Sequence, residues 1–134
     1  MPLVTLNDVL PQARAEGRAV CAFNVVNSES AKAAMMAAER EQSPVIIQVF
    51  QRLFGDDKAR YVAAMVRSMA EHSGLPVVLH LDHGQSLEQV RQAVEYGYTS
   101  AMYDGSKLPL DENIATTQEA VRIAHDAGLT LEAE

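Results

Sequence analysis

The sequence has no tryptophan, a single cysteine and only 5% aromatic residues, so large rings cannot build its interior. Val, Leu, Ile, Met and Ala must fill the core instead, as they commonly do in α/β folds. Cys21, in the apolar stretch Val20-Cys21-Ala22-Phe23, has no partner for an intrachain disulfide. That suits a reducing compartment and reads Cys21 as a small buried hydrophobe. No apolar run approaches the roughly 18 residues of a membrane span. Met1-Pro2-Leu3-Val4-Thr5 lacks the charged and apolar regions of a secretory signal, so a cytoplasmic location is expected. The net charge is −7, from 18 acidic against 11 basic residues, and no basic cluster breaks it. Nucleic acid and anionic membrane are therefore poor partners. There is no glycine-rich phosphate loop, no Cys-x-x-Cys pair and no Ser-His-Asp arrangement. A phosphorylated small molecule stays compatible, because backbone amides and a few local cations suffice to hold phosphate.

What is present is a regular alternation. The 134 residues form one domain, 1–134, without a linker, a repeat or a low-complexity segment. Short apolar runs at Ala19 to Val25, Val45 to Val49, Val77 to Leu81, Thr99 to Tyr103 and Leu129 to Ala133 read as strands buried on both faces. Between them lie helical stripes: Leu6, Val9, Leu10 and Ala13 after Thr5; Ala31, Ala34, Met35 and Ala38 after Asn27 or Ser28; Val62, Met65, Val66 and Met69 before Gly74. A fourth, Leu87, Val90, Ala93 and Val94, follows Ser86, whose partner Gln89 suggests a capping box. The last runs from Asp111 through Ile114, Val121 and Ala124 to Gly128. Met35, Met65 and Met69 read as core filler. A leading helix followed by β/α units implies a parallel sheet. Five strands could close an open doubly wound sheet at about this length. A (β/α)₈ barrel needs roughly 200 residues or more, so this chain would supply its first half.

The polar residues gather at the carboxyl ends of the strands, where α/β proteins place chemistry. Strand one ends in Asn24 with Asn27 beyond, and strand two near Gln48 and Gln51. Strand three delivers His80, Asp82 and His83, strand four Asp104 and Ser106, and strand five Glu132 and Glu134. Carboxylates converging from three strands call for a cation to offset their repulsion. Strand parity adds a constraint: His80 and Asp82 share a face, and His83 points the other way. Asp82 and His83 serve one site only if the strand breaks between them, which Gly84 would make easy. Glu132 lies a layer deeper than Glu134 and needs a partner. His72 and His125 fall on helices, where solvation is expected.

The chain resembles the N-terminal half of a class II, metal-dependent ketose-bisphosphate aldolase, of the fructose- and tagatose-1,6-bisphosphate type. The resemblance runs from about Leu3 to Glu134. Its marks are Ala22-Phe23-Asn24 with Asn27, Ser43-Pro44-Val45-Ile46-Ile47, His80-Leu81-Asp82-His83-Gly84, Tyr98 through Ser106, and Leu131-Glu132-Ala133-Glu134. It implies a (β/α)₈ TIM barrel of which this chain supplies the leading helix, the first four β/α units and the fifth strand. It implies that Asp82 is the catalytic acid/base exchanging a proton with the C4 hydroxyl. It implies that His83 is a ligand of the catalytic Zn²⁺, that Asp104 and Glu134 hold a second, divalent or monovalent cation, and that Asn24 contacts substrate. Zinc would polarise the ketose carbonyl and stabilise the enediolate of dihydroxyacetone phosphate. No Schiff-base lysine is needed, and Lys32, Lys58 and Lys107 lie in helical or loop patterns. The full-length protein is expected to be a homodimer or homotetramer acting on a phosphorylated sugar in carbohydrate metabolism.

Two departures matter. Phe50, followed by Gln51-Arg52, stands where the family often has a small hydroxyl residue, which alters the pocket wall. Arg52 could meet a phosphate or other anion, or remain a solvated surface residue. Two more zinc-binding histidines and the phosphate loops belong to the other half of the family's barrel, so the 134-residue chain alone should lack significant aldolase activity. Other readings are a non-catalytic α/β module, a self-associating half-barrel with exposed edges, or another metal-dependent barrel lyase.

Overall fold

In the computed structural model, which describes residues 3–134, five parallel strands run in sequential order β1-β2-β3-β4-β5. The elements are α1 (Leu6–Ala15), β1 (Cys21–Asn24), α2 (Ser28–Glu41), β2 (Val45–Phe50), a 3₁₀ segment (Gln51–Asp56) and α3 (Lys58–His72). They continue with β3 (Val77–Gly84), α4 (Leu87–Tyr96), β4 (Ser100–Tyr103), α5 (Leu110–Asp126) and β5 (Thr130–Ala133). Sequential order is decisive for architecture. Right-handed crossovers between neighbours that never reverse direction put every connecting helix on one face. A doubly wound sheet would reverse its order and place helices on both. The packing agrees: Val45, Ile47, Val49, Val77, Leu79 and Leu81 form one core with Ala34, Val62, Val66, Val90 and Ala124 of the helices. On the opposite face Ile46 and Val78 pack in a separate, smaller cluster with Val9 and Leu6 of α1 and with Val4 and Val20 on either side of it. This one-sided arrangement is that of a half-barrel, with the leading helix packed on the other face of the sheet.

Local signals explain most element ends. The backbone N–H and hydroxyl of Thr5 both donate to the Asp8 carboxylate at the start of α1 (2.8 and 2.6 Å). Asn27 accepts from the Ser30 N–H at 2.9 Å to cap α2, and Ser86 accepts from the Gln89 N–H at 3.2 Å to cap α4. The reciprocal arm expected from Gln89 goes elsewhere: its carbonyl oxygen accepts from Gln85 N–H, and its amide reaches Gln51. The 3₁₀ segment is pinned by Phe54, buried between the rings of Tyr96 and Tyr98 (centroids 6.0 and 5.3 Å).

Three expectations are corrected. Cys21 is exposed, because β1 is an edge strand that, among the described residues, is bonded only to β2. Leu10 and Ile114, assigned to apolar stripes, are 41% and 48% exposed, lying at the margins of faces that no other described element covers. β3 does not stop at Leu81 but continues to Gly84, with an irregular register to β4 between Leu81 and Gly84. The sequence Met1-Pro2, part of the leader reading, lies outside the described residues.

Gly84 is required for space. A Cβ there would lie 2.8 Å from both Leu81 Cδ2 and the Met102 carbonyl oxygen. Gly84→Ala should therefore lower stability by about 1–3 kcal/mol through overpacking, read from the urea midpoint. A midpoint equal to that of the parent would show that β3 and β4 are not held this close.

Candidate functional site

Lateral register assembles the site. In a parallel sheet, residues paired across neighbouring strands point to the same face. Asn24, Gln48, His80, Ser100 and Thr130 stand in one row across all five strands. Above that row, Phe50 is paired with Asp82. Asp82 is 6% exposed, and each of its carboxylate oxygens accepts one side-chain amide. Gln48 Nε2 donates to Oδ1 at 2.8 Å and Asn24 Nδ2 to Oδ2 at 3.0 Å. Two neutral donors therefore fix the carboxylate without placing a second charge against it.

The break that parity requires is present, and His83 itself makes it. His83 has φ +53°, a left-handed conformation unfavourable for a residue with a Cβ. Gly84 was expected to supply the break; instead it supplies the close approach to Met102 described above. The irregularity turns the His83 side chain to the carboxyl-end rim, so adjacent residues in one strand reach the same region. A left-handed non-glycine residue persists only where its surroundings enforce it. Here the Asp104 N–H donates to the Gly84 carbonyl at 2.8 Å, and Asp104 Oδ2 lies 2.9 Å from His83 Nδ1.

His83, Asp104 and Glu134 form a cluster whose ligand atoms all lie within 4.8 Å of one another. His83 Nδ1 is 3.6 Å from Glu134 Oε2. Ligand atoms around an ion with bonds of about 2.1 Å are themselves about 3–4 Å apart, so this nitrogen–carboxylate set fits a divalent cation. The backbone holds Glu134 in place, its N–H donating to the Tyr103 carbonyl at 3.1 Å and its carbonyl accepting from Gly105 N–H at 2.9 Å. Asp104 Oδ1 accepts from the Ser106 hydroxyl at 2.6 Å and from its N–H at 3.1 Å. The Ser106 hydroxyl first, then His83 and more weakly the Ser106 N–H, hold the Asp104 carboxyl down at about 2. The His83 pKa is raised, chiefly by its hydrogen bond with Asp104, against a weaker opposing effect of burial.

One layer down, His80 is 2% exposed and its Nδ1 meets Ser100 Oγ at 2.8 Å. Burial pushes its pKa down to about 4, partly offset by Asp82, so it is neutral near pH 7. Glu132 finds its neighbour here, with Oε2 3.6 Å from His80 Nε2. Neither Gln48 as the anchor of Asp82 nor Ser100 as the partner of His80 was singled out from sequence. Only the lateral register reveals them. Phe50 meets the His83 ring edge-on (centroids 6.3 Å, 66°), and the Arg52 guanidinium lies 5.9 Å above Phe50. His72 and His125 are exposed, as expected, and are not members of the cluster.

The family model for class II fructose-bisphosphate aldolase matches residues 4–134. A probable fructose-bisphosphate aldolase of Bacillus subtilis is 43% identical over 139 residues, covering 100% of this chain and 48% of that protein. A 6-phospho-5-dehydro-2-deoxy-D-gluconate aldolase of Bacillus velezensis is 44% identical, with 100% and 47% covered. The crystal structure of the YdjI aldolase of Escherichia coli superimposes with a TM-score of 0.91 at 35% identity, covering 98% of this chain and 51% of that one. The chain thus spans about half the length of the relatives it matches.

The His83–Asp104 contact sets a pH dependence. With its folded pKa raised above 6.5, His83 contributes stability that is complete below 6.5 and is lost as pH rises through the folded value. Asp104, lowered from 3.8, contributes stability that is complete above 3.8 and is lost as pH falls through about 2. Asp104→Asn should lower the His83 titration midpoint in metal-free protein, followed by ring-proton NMR. An unchanged midpoint would contradict the contact.

Proposed function

This chain belongs to the class II fructose-bisphosphate aldolase family, and from that premise we propose that its full-length protein is a zinc-dependent aldolase. The substrate would be a phosphorylated ketose of the fructose- or tagatose-1,6-bisphosphate type, giving dihydroxyacetone phosphate and an aldehyde such as glyceraldehyde 3-phosphate. The observation that carries the reading is the left-handed His83, which brings the adjacent Asp82 and His83 to one rim facing Asp104 and Glu134. In this reading residues 1–134 are the N-terminal half of a single TIM-barrel domain, in a cytoplasmic homodimer or homotetramer.

Asp82 acts as the acid/base. Its carboxylate accepts the proton of the C4 hydroxyl while the C3–C4 bond breaks and C4 becomes the aldehyde carbonyl. The bond's electron pair moves toward the ketose carbonyl at C2. In condensation Asp82 returns the proton. Asn24 and Gln48 orient it throughout, each through one neutral amide donor. Asn24 is the exposed member of the pair and would also contact substrate. His83 would bind the catalytic ion, with Asp104 and Glu134 available to a second or alternative cation. A bound Zn²⁺ would supply Lewis-acid polarisation of the ketose carbonyl. Phe50, paired with Asp82 and edge-on to the His83 ring, would form part of the substrate pocket's wall.

The test is triose-phosphate release by the full-length protein. A chelator should abolish it and zinc restore it, and Asp82→Ala should lower turnover by roughly 10²- to 10⁴-fold. Chelator-resistant cleavage, or full activity of the Asp82 variant, would sink the proposal. Since His83 is the sole strand-end histidine of the rim cluster, the isolated 134-residue chain should release no triose phosphate above background.

A further inference from the structure

The 3₁₀ segment after β2 carries an arginine that the aldolase reading leaves without a role. Arg52 is exposed, yet its guanidinium is held 5.9 Å above the ring of Phe50. The ring's quadrupole attracts the cation, and a planar guanidinium stacked there keeps its edge N–H groups free to bind. Among the described residues, no carboxylate lies at ion-pair distance from Arg52 and no acceptor takes its N–H groups. Asp56, the acid of the same segment, is taken by Lys58 at 2.7 Å. The segment itself is fixed at both ends. Gln89 Nε2 donates to the Gln51 side-chain oxygen at 3.2 Å and to its carbonyl at 3.3 Å, and Phe54 is buried between Tyr96 and Tyr98. The backbone under Arg52 is thus set before any ligand arrives, which lowers the ordering cost of binding.

Strand order tells which part of a substrate would reach this cation. His83, Asp104 and Glu134 gather at the ends of β3, β4 and β5. Asp82 is bonded the other way, to Gln48 of β2 and Asn24 of β1. A ketose with its carbonyl end at the cluster and its C4 hydroxyl at Asp82 therefore runs toward β2. Its carbons beyond C4 point at Phe50, the residue paired with Asp82, and at Arg52 above that ring. Those carbons become the aldehyde half when the C3–C4 bond breaks. A negative group at their far end meets a cation there, on the side away from Asp104 and Glu134. An open groove of about 290 Å³, lined by Arg52 with Val26, Leu53, Asp56 and Lys58, gives it room.

We propose that Arg52 is a specificity-determining residue that binds an anionic terminus, phosphate or carboxylate, on the aldehyde half of the substrate. Phe50, the chain's departure from the family's small hydroxyl residue, is its platform. Which end of the substrate it meets rests on the aldolase reading, whereas anion binding by Arg52 does not.

Condensation of dihydroxyacetone phosphate with three aldehydes by the full-length protein tests the assignment: glyceraldehyde 3-phosphate, succinic semialdehyde and uncharged glyceraldehyde. Arg52→Ala should lower kcat/KM roughly 10- to 100-fold for one or both charged aldehydes, through loss of a charge-assisted contact, and leave glyceraldehyde unaffected. Arg52→Lys, which keeps the charge without the planar fork, should fall between. A loss confined to glyceraldehyde 3-phosphate assigns phosphate, and one confined to succinic semialdehyde assigns carboxylate. No loss for either, or an equal loss for glyceraldehyde, would overturn the proposal, the second outcome reducing Arg52 to a support for Phe50. A readout without turnover separates the two readings. Glyceraldehyde 3-phosphate titrated into metal-free, ¹⁵N-labelled full-length protein should shift the Arg52 Nε–H signal saturably, and a signal that stays in place would overturn anion binding. A parent that shifts this signal but forms no carbon–carbon bond would instead count against the aldolase reading.

Discussion

The arrangement depends on one backbone constraint: two adjacent residues of β3 must act in one place. A regular strand sends neighbours to opposite faces, so Asp82 on the inner face would leave His83 among the helices. The left-handed conformation of His83 cancels that alternation at a single position. Residues with a Cβ adopt it at a cost of order 1–3 kcal/mol, so the surrounding contacts must outweigh it. They are visible: the Asp104 N–H on the Gly84 carbonyl, the Asp104 carboxylate on the His83 ring, and a Gly84 with no room for a methyl group beside Leu81 and Met102. Sheet, irregularity and rim cluster thus support one another.

The layers below and above use different physics. In the row formed by Asn24, Gln48, His80, Ser100 and Thr130 the side chains are neutral, with Gln48 and Asn24 donating to Asp82 above and His80 Nδ1 meeting Ser100 within the row. Burial wins over nearby carboxylates there, holding His80 uncharged. At the rim, where His83 and Glu134 are about half exposed, hydrogen bonding to the charged form wins instead and raises the His83 pKa. A cation arriving at that rim would meet an imidazole and two carboxylates already gathered, and would compete with the His83 proton for one ring nitrogen.

Much of this was legible in the sequence. The β/α alternation, the caps at Thr5, Asn27 and Ser86, and the convergence of Asp82, His83, Asp104 and Glu134 follow from periodicity and strand-end composition. Parity even demanded a break between Asp82 and His83, but it assigned the break to Gly84, because glycine is the cheaper residue to bend. The bend fell on His83, since only tertiary contacts can enforce a left-handed histidine. Gln48 and Ser100 stayed hidden for a related reason: their roles come from lateral register, which a single sequence does not encode locally. Cys21 misled because its apolar neighbours resemble those of a central strand, whereas β1 lies at an edge.

The central claim is that the kink at His83 divides labour between neighbours, one a metal ligand and the other a free carboxylate held by two amides. Anomalous diffraction at the zinc edge from crystals of the full-length protein tests it most directly. The account predicts an ion about 2.1 Å from a ring nitrogen of His83, with Asp82 still bonded to Asn24 and Gln48 and outside the coordination sphere. An ion bound without His83, or one that takes Asp82 as a ligand, would contradict it.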